Sequence, residues 1–321
     1  NRGDRVTDIV DQALTLWDMT GAKYRFVAGR ENLVYCVFHD GERHALRLKR
    51  PGYRERKELA SELDWMAEMA RAGLSVPTPR LSKSRNRLEQ VGGHFVDVIT
   101  WLPGTPLGQS RAPLQLADPE RVFSDLGAEM ARLHLACDAW TAPEGFTRCT
   151  WDIAGLLGRA PLWGRFWENP MLDTATCLML RDFRTEATQE LSRLDLDAGL
   201  IHADLVPENV LIDGTKLRII DFDDGGYGFR LFDVATALLK HRADPKYPAL
   251  KQALLGGYLS VRPLDMAQLD LFLALRAVTY VGWIISRMDE PGSPERNRRF
   301  IQDAQELCGA WRARYNVNQE G

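Results

Sequence analysis

The sequence predicts an α+β chain in which a small antiparallel sheet with one helix precedes a larger, mainly helical region. Between Tyr24 and Leu48 two β-rich runs, RFVAGRENLVYCVF and HALRLKR, flank His39-Asp40-Gly41-Glu42, whose Asp-Gly pair is a hairpin signal. From Arg54 to Ala72 the apolar residues Leu59, Leu63, Met66 and Met69 recur at spacings of three and four, the period of an amphipathic helix. Val76-Pro77-Thr78-Pro79 ends that helix, and VGGHFVDVITWL returns to strand chemistry with Gly92-Gly93 as a turn. After Pro103-Gly104-Thr105-Pro106 strand character fades, and LGAEMARLHLAC opens the helical region. Residues 1–99 and 107–321 are thus expected to form two lobes joined through 100–106, a link too short for independent movement.

Composition excludes several classes. Lysine and arginine total 41 against 44 acidic residues, a net charge of -3, so no excess of positive charge offers a sequence-independent hold on nucleic acid. The five cysteines are odd in number, scattered and never in a C-x-x-C pair, which disfavours a disulfide framework and a zinc site and fits a reducing cytoplasm. The N-terminal NRGDRVTDIVDQ lacks the apolar core of a secretory signal. The most apolar stretch, Leu271 to Ile285, contains Arg276 and is shorter than the ~20 residues that span a bilayer. It reads as a buried helix, and no membrane partner is expected.

The chemistry lies in LIHADLVPENVLIDGTKLRIIDFDD, residues 200 to 224. His202, Asp204 and Asn209 have the H-x-D-x-x-x-x-N spacing of a phosphotransfer catalytic loop, in which the aspartate accepts the substrate hydroxyl proton and the asparagine binds a metal. Val210 to Ile212 and Lys216 to Ile220 form a hairpin around Asp213-Gly214 that returns the chain to the loop and ends in Asp221-Phe222-Asp223. Asp221 stands where D-F-G carries its metal-binding aspartate. Magnesium prefers oxygen ligands and takes few from the protein, a list that Asn209 and Asp221 can supply. His202 is expected to be scaffold. Each residue alone could be a turn or capping group; the joint pattern carries the reading.

HADLVPENVL through IIDFDDGGYGFRLFDVATALL resembles the aminoglycoside phosphotransferase and choline kinase superfamily, nearest the branch of type II homoserine kinases and the stress-response kinase. GRENLVYCV, HALRLKRPGY, SELDWMAEM, VITWLPGTPL and LGAEMARLH follow in the family's order. The resemblance implies a bilobal protein-kinase-like fold, and transfer of the γ-phosphate of ATP, with magnesium, to a hydroxyl. A homoserine-like amino alcohol or an aminoglycoside is the expected acceptor. A protein serine or threonine, or a pseudokinase role without transfer, is the alternative. Ala203 departs from the family's usual glycine.

The rest of the nucleotide site is less explicit. Ala45 and Arg47 repeat the spacing of the alanine and lysine in V-A-I-K, with Lys49 next on the same strand face; Arg47 is the phosphate-contacting candidate and Lys49 the reserve, against a solvated edge charge. Glu62 is the candidate partner of that cation and Glu58 its competitor. Gly29-Arg30-Glu31-Asn32 is either a phosphate-covering loop, with Asn32 as a contact, or an ordinary turn. Thr100, Trp101 and Leu102 read as a hinge strand beside adenine, with Thr100 and Leu102 as contacts, or as core. Asp223, Asp224, Tyr227 and Arg230 are candidates for the acceptor pocket, with Arg287 a further possible cation. Asp233 is expected to cap a helix or steady the loop, and Trp163, Trp167 and Trp283 to be core.

Overall fold

The computed structural model describes residues 2–29, 32–110 and 112–320, with side chains described outside 2–5 and 318–320. In chain order the elements are α1 (Arg2–Leu16), β1 (Lys23–Gly29), β2 (Asn32–His39), β3 (Glu42–Lys49), α2 (Arg56–Arg71), β4 (Glu89–Val91), β5 (His94–Thr100), β6 (Thr105–Pro106), α3 (Pro119–Ala139), β7 (Thr150–Trp151), α4 (Ile153–Leu157), α5 (Thr174–Arg193), β8 (Ala198–Ile201), β9 (Val210–Asp213), β10 (Lys216–Ile219), β11 (Gly226–Phe229), α6 (Arg230–Leu239), α7 (Tyr247–Leu259), α8 (Leu269–Trp283) and α9 (Ser293–Glu320). They fall into two compact units. The first comprises Asn1–Pro106, Ala139–Arg148 and Val210–Asp223, the second Leu107–Asp138, Cys149–Asn209 and Asp224–Gly321. Two late segments therefore return to the first unit, which a linear division of the sequence does not anticipate.

The first unit is built on a five-stranded antiparallel sheet in the order β1-β2-β3-β5-β4. Asp40 and Gly41 join β2 to β3 with φ of 49° and 78°, the doubly left-handed turn whose twist matches a hairpin. Alternation along β3 then fixes its two faces. Leu46 and Leu48 lie opposite Val98 and Val96 of β5 and enter the core with Val10, Ala13, Leu14 and Trp17. Most of that second set belongs to α1, which the sequence reading did not predict. Ile9, Val10, Ala13, Leu14 and Trp17 recur at helical spacing and carry the signal. The opposite face of β3 presents Ala45, Arg47 and Lys49. β9 and β10 form the expected hairpin, with β6 on the outer side of β9.

The second unit is mainly helical. Leu271, Phe272, Leu275, Val278 and Val281 of α8 are buried, and the helix packs on α6 and α9. No helix among the described residues is long and apolar enough to cross a membrane. A small sheet, β7-β11-β8, was not legible in advance because β11 is the glycine-rich GYGF. Its glycines answer a packing constraint: a Cβ on Gly226 would stand 2.1 Å from the Cys149 carbonyl oxygen.

Burial has a consequence for acid stability. His241, after α6, packs edge-on to Phe123 with 4.8 Å between ring centres, and burial lowers its pKa from 6.5 to about 4 despite the opposing pull of Asp244 and Glu208. The unfolded chain therefore binds this proton more readily than the folded one. The contribution of neutral His241 to stability is complete above pH 6.5 and is lost as pH falls toward 4. Unfolding by denaturant in His241→Gln should show a shallower decline over that interval, by up to about 1.4 kcal/mol per pH unit. An unchanged slope would place the acid lability in other groups.

Candidate active site

In the first unit the site begins as a buried charge cluster. Arg47 of β3 lies directly opposite Asp97 of β5 in the ladder. Its Nε donates to Asp97 Oδ1 at 2.7 Å and its Nη2 to Asp97 Oδ2 at 3.1 Å, a two-pronged contact suited to a guanidinium. Nη1 donates to Glu62 Oε1 of α2 at 2.8 Å. Lys49 Nζ is held more loosely, 3.4 Å from Glu62 Oε2, 3.5 Å from Asp97 Oδ2 and 3.7 Å from Asp223 Oδ1. Arg47 and Lys49 are only 5% and 2% exposed, so neither is a solvated edge charge. Burial opposes the charges, but the partners outweigh it: Glu62 is held below the usual carboxylate range by Arg47, Lys49 and Arg148, and Arg47 above its ordinary value by Asp97 and Glu62. Glu58 has another task, accepting from the Glu55 backbone N–H at the start of α2. Asp97 was missed by sequence reasoning, although a lone carboxylate inside the apolar strand HFVDVIT is itself a signal that a buried cation must face it.

Asn32, the first residue of β2, lies opposite Lys49 and donates from Nδ2 to Asp223 Oδ1 at 3.4 Å. Asp223, expected near the acceptor, instead belongs to this cation cluster, and Arg148 Nη2 holds its backbone carbonyl at 2.7 Å. Asp221 is exposed and has a φ of 66°, a left-handed conformation that aspartate tolerates better than most residues. The Thr100 N–H donates to the Thr78 carbonyl and the Trp101 N–H to the Arg43 carbonyl, so both are used within the unit. Arg30 and Glu31 of the expected loop lie outside the described residues.

In the second unit β8 leads into the loop that carries Asp204. The Asp204 side chain is 22% exposed. Arg276 Nη2 donates to its Oδ1 and Asn209 Nδ2 to its Oδ2, both at 2.9 Å. Asn209 Nδ2 also donates to the Asp204 carbonyl at 2.9 Å, which leaves the amide oxygen as the atom able to ligate a cation. The loop hangs on Asp233 of α6: Oδ2 accepts from the His202 N–H at 2.9 Å and Oδ1 from the Ala203 N–H at 2.6 Å. His134 Nε2 is 2.9 Å from Oδ2, and its Nδ1 is 2.7 Å from the Tyr258 hydroxyl. Burial opposes the charge of Asp233, yet hydrogen bonds and His134 hold its carboxyl below the usual range. Asp233 thus steadies the loop that carries Asp204. His202 is scaffold, its Nδ1 accepting from the Asp204 N–H at 3.3 Å.

The stretch that holds a loop aspartate paired with an asparagine five residues on, and a hairpin followed by a left-handed aspartate, lies within residues 24–272, which match the phosphotransferase enzyme family. The chain belongs to that family. A homoserine kinase of Gluconacetobacter diazotrophicus is 29% identical over 309 residues, covering 88% of this chain and 87% of that protein. One from Methylobacillus glycogenes is 28% identical over 244 residues, 74% of this chain and 71% of that protein. A microcompartment-associated aminopropanol kinase superposes with a TM-score of 0.80 at 29% identity, covering 94% of this chain and 95% of that one. An amicoumacin kinase shares the fold, with a TM-score of 0.76 at 22% identity over 94% of this chain and 93% of that one. The α+β, protein-kinase-like class follows, and the protein is a phosphotransferase of the kinase type.

The remaining acceptor-side candidates of this phosphotransferase separate. Arg230 is fully buried as a clamp, donating to the Leu200 carbonyl and to Asp138, and Arg262 bridges Asp138 and Asp197 beside it. Arg230 is therefore structural and offers no surface to a ligand. Arg287 lies over the Trp283 ring at 4.2 Å and donates to the Trp283 carbonyl. Tyr227 stays 39% exposed on β11, and the Asp224 carbonyl accepts from Trp151 Nε1 at 2.9 Å. Nor are the three tryptophans simple core. Trp163, Trp167 and Trp283 each carry a guanidinium of this chain, the buried Arg276 and the half-buried Arg184 and Arg287, at 4.4, 4.0 and 4.2 Å.

The backbone at Ala203 is of a kind that suits glycine. Its φ is 64°, a conformation that disfavours any Cβ, and it is held by the Asp233 bond. Ala203→Gly should raise stability by up to about 1 kcal/mol in thermal unfolding, with the loop geometry unchanged. A loss of stability would show that the Cβ packing outweighs the backbone strain.

Proposed function

We propose that the protein transfers the γ-phosphate of ATP, with magnesium, to the hydroxyl of a small molecule, and that a short amino alcohol of the homoserine or aminopropanol kind is the leading acceptor class. The observation that carries this reading is Asp204, a partly open carboxylate with a donor on each oxygen, in a loop anchored from beneath. In this reading Asp204 accepts the acceptor's hydroxyl proton, the hydroxyl oxygen bonds to the γ-phosphorus, and the bond to the β-phosphate oxygen breaks to leave ADP. The Asn209 amide oxygen and the Asp221 carboxylate would hold magnesium, which prefers such donors and, when bound, neutralises phosphate charge. The relatives' names, homoserine kinase and aminopropanol kinase, support the acceptor class.

Phosphate contact is assigned to Lys49 rather than Arg47. Each of the three Arg47 nitrogens already donates to a carboxylate, whereas Lys49 is held only at 3.4 to 3.7 Å. Arg47 and Glu62 then form the frame that positions Lys49, with Asn32 and Asp223 beside it. Adenine contact is assigned to the backbone at Leu102, since the Thr100 N–H is used on Thr78. Lys49→Met should raise the KM for ATP by about tenfold or more with the fold intact, the cost of losing a charge-assisted phosphate contact. Arg47→Met should instead lower stability, by about 3–5 kcal/mol, because it strands two buried carboxylates. The reverse pattern would return the phosphate role to Arg47.

The acceptor is found by mass-spectrometric screening with MgATP over amino acids, amino alcohols, sugars and aminoglycosides. Phosphorylation of an amino alcohol is the expected result, and Asp204→Ala should lose about 10²–10⁴-fold in rate while keeping its ATP affinity. Transfer only to a protein substrate, or ATP binding with no transfer, would favour a protein kinase or a pseudokinase respectively.

A further inference from the structure

Arg276 is a charge in the wrong place for stability alone. It stands in the middle of α8 among Leu273, Ala274, Leu275, Ala277 and Val278, and it is fully buried. An apolar residue is the ordinary choice at such a position, and a buried guanidinium is retained where its charge or geometry has a task. Its Nη2 makes the polar contacts, 2.9 Å to Asp204 Oδ1 and 3.0 Å to the Tyr280 hydroxyl. Nε and Nη1 have no hydrogen-bond partner among the described residues. What fixes the group otherwise is aromatic: its central carbon lies 4.4 Å from the Trp163 ring centre, 4.6 Å from Tyr280 and 5.2 Å from Phe232. A cation boxed by three π faces cannot swing away without losing all of them. Trp151 stacks on Phe232 at 5.2 Å and meets Trp163 edge-on at 5.4 Å, so two of the three rings are braced in turn.

We propose that Arg276 is the positioning residue for Asp204, and that the Trp163, Phe232 and Tyr280 rings exist in this form to hold it there. The inference rests on the reading of Asp204 as the group that accepts the acceptor's proton. A carboxylate on a single aspartate side chain can rotate about its last bond. Here Arg276 fixes one oxygen and Asn209 the other, so the carboxylate plane is set before an acceptor arrives. Each oxygen keeps a lone pair for the incoming hydroxyl. Asn209 is also the proposed metal ligand, so Arg276 is the contact devoted to orientation alone.

The test compares Arg276→Gln, Arg276→Lys, Arg276→Ala and the milder Tyr280→Phe with Asp204→Asn, using MgATP with homoserine and with aminopropanol, and MgATP hydrolysis by water where neither alcohol reacts. Arg276→Gln should lower kcat by about 10²-fold with the KM for ATP within about twofold, the pattern of a group needed for the chemical step and not for nucleotide binding. Arg276→Lys should recover part of the loss, guanidinium ion added to Arg276→Ala should recover some activity, and Tyr280→Phe should lose several-fold. Crystals of Arg276→Gln should show the Asp204 carboxylate rotated on an unchanged backbone. In an Asp204→Asn background, removing Arg276 should cost little more, because the two act as one unit. Wild-type kcat in Arg276→Gln with Asp204 unmoved would overturn the proposal. If Arg276→Gln fails to fold, Arg276→Lys and Tyr280→Phe at wild-type kcat would overturn it equally. An active Asp204→Asn would instead overturn the reading of Asp204, and the crystal position of its carboxylate in Arg276→Gln would still decide the role of Arg276.

Discussion

The carboxylate of Asp233 is the constraint on which the loop carrying Asp204 depends. It lies in the first turn of α6, fully buried, and collects the N–H groups of two successive loop residues together with a histidine. Backbone donors that leave a strand and enter an irregular loop lose their ladder partners, and buried ones must find others. Asp233 supplies them from a rigid helix, so the direction in which the chain leaves β8 is set by α6 and not by the loop itself. The His134 and Tyr258 side chains extend the network to α3 and α7. Three helices thereby share one polar centre, and the loop inherits their rigidity.

The first unit solves a different problem with related means. Two cations and three carboxylates are brought together on the Arg47 and Lys49 face of β3, where leaving any of them without a partner would be costly. The guanidinium of Arg47 is planar and divides between two carboxylates in fixed directions, while the lysine beside it makes contacts without a preferred plane. That difference separates a structural cation from one able to turn toward a phosphate. In the proposed function, an arginine at the position usual for lysine redistributes the roles over two neighbouring positions of one strand face.

Much of this was legible because it depends on period and spacing. The alternation in HALRLK separated Leu46 and Leu48 from Arg47 and Lys49, and the H-x-D-x-x-x-x-N spacing singled out Asp204 and Asn209, which hydrogen-bond to each other. What escaped depended on tertiary partners. Arg230 and Asp223 have the polarity of ligand contacts, and nothing local reveals that Asp138 and the Leu200 carbonyl capture one, or that Asn32 and Lys49 face the other. Asp97 and Arg276 were legible in a weaker sense. A solitary charge in an otherwise apolar strand or helix implies a buried partner without naming it, and Arg47 and Asp204 are those partners.

Both carboxylates assigned to the chemistry are set by left-handed backbone. Ala203 has a φ of 64° and immediately precedes Asp204, and Asp221 itself has a φ of 66°. Such conformations persist where the surroundings over-determine them. At Ala203 the determinant is the hydrogen bond to Asp233. After Asp221 the chain is held by the next residue: Phe222 is fully buried, meets Trp65 edge-on with 4.9 Å between ring centres, and its carbonyl is held by Arg148. Phe222 thus anchors the chain immediately after Asp221, and a D-F-D that kept its aspartates but lost the buried ring would be expected to lose the orientation of Asp221.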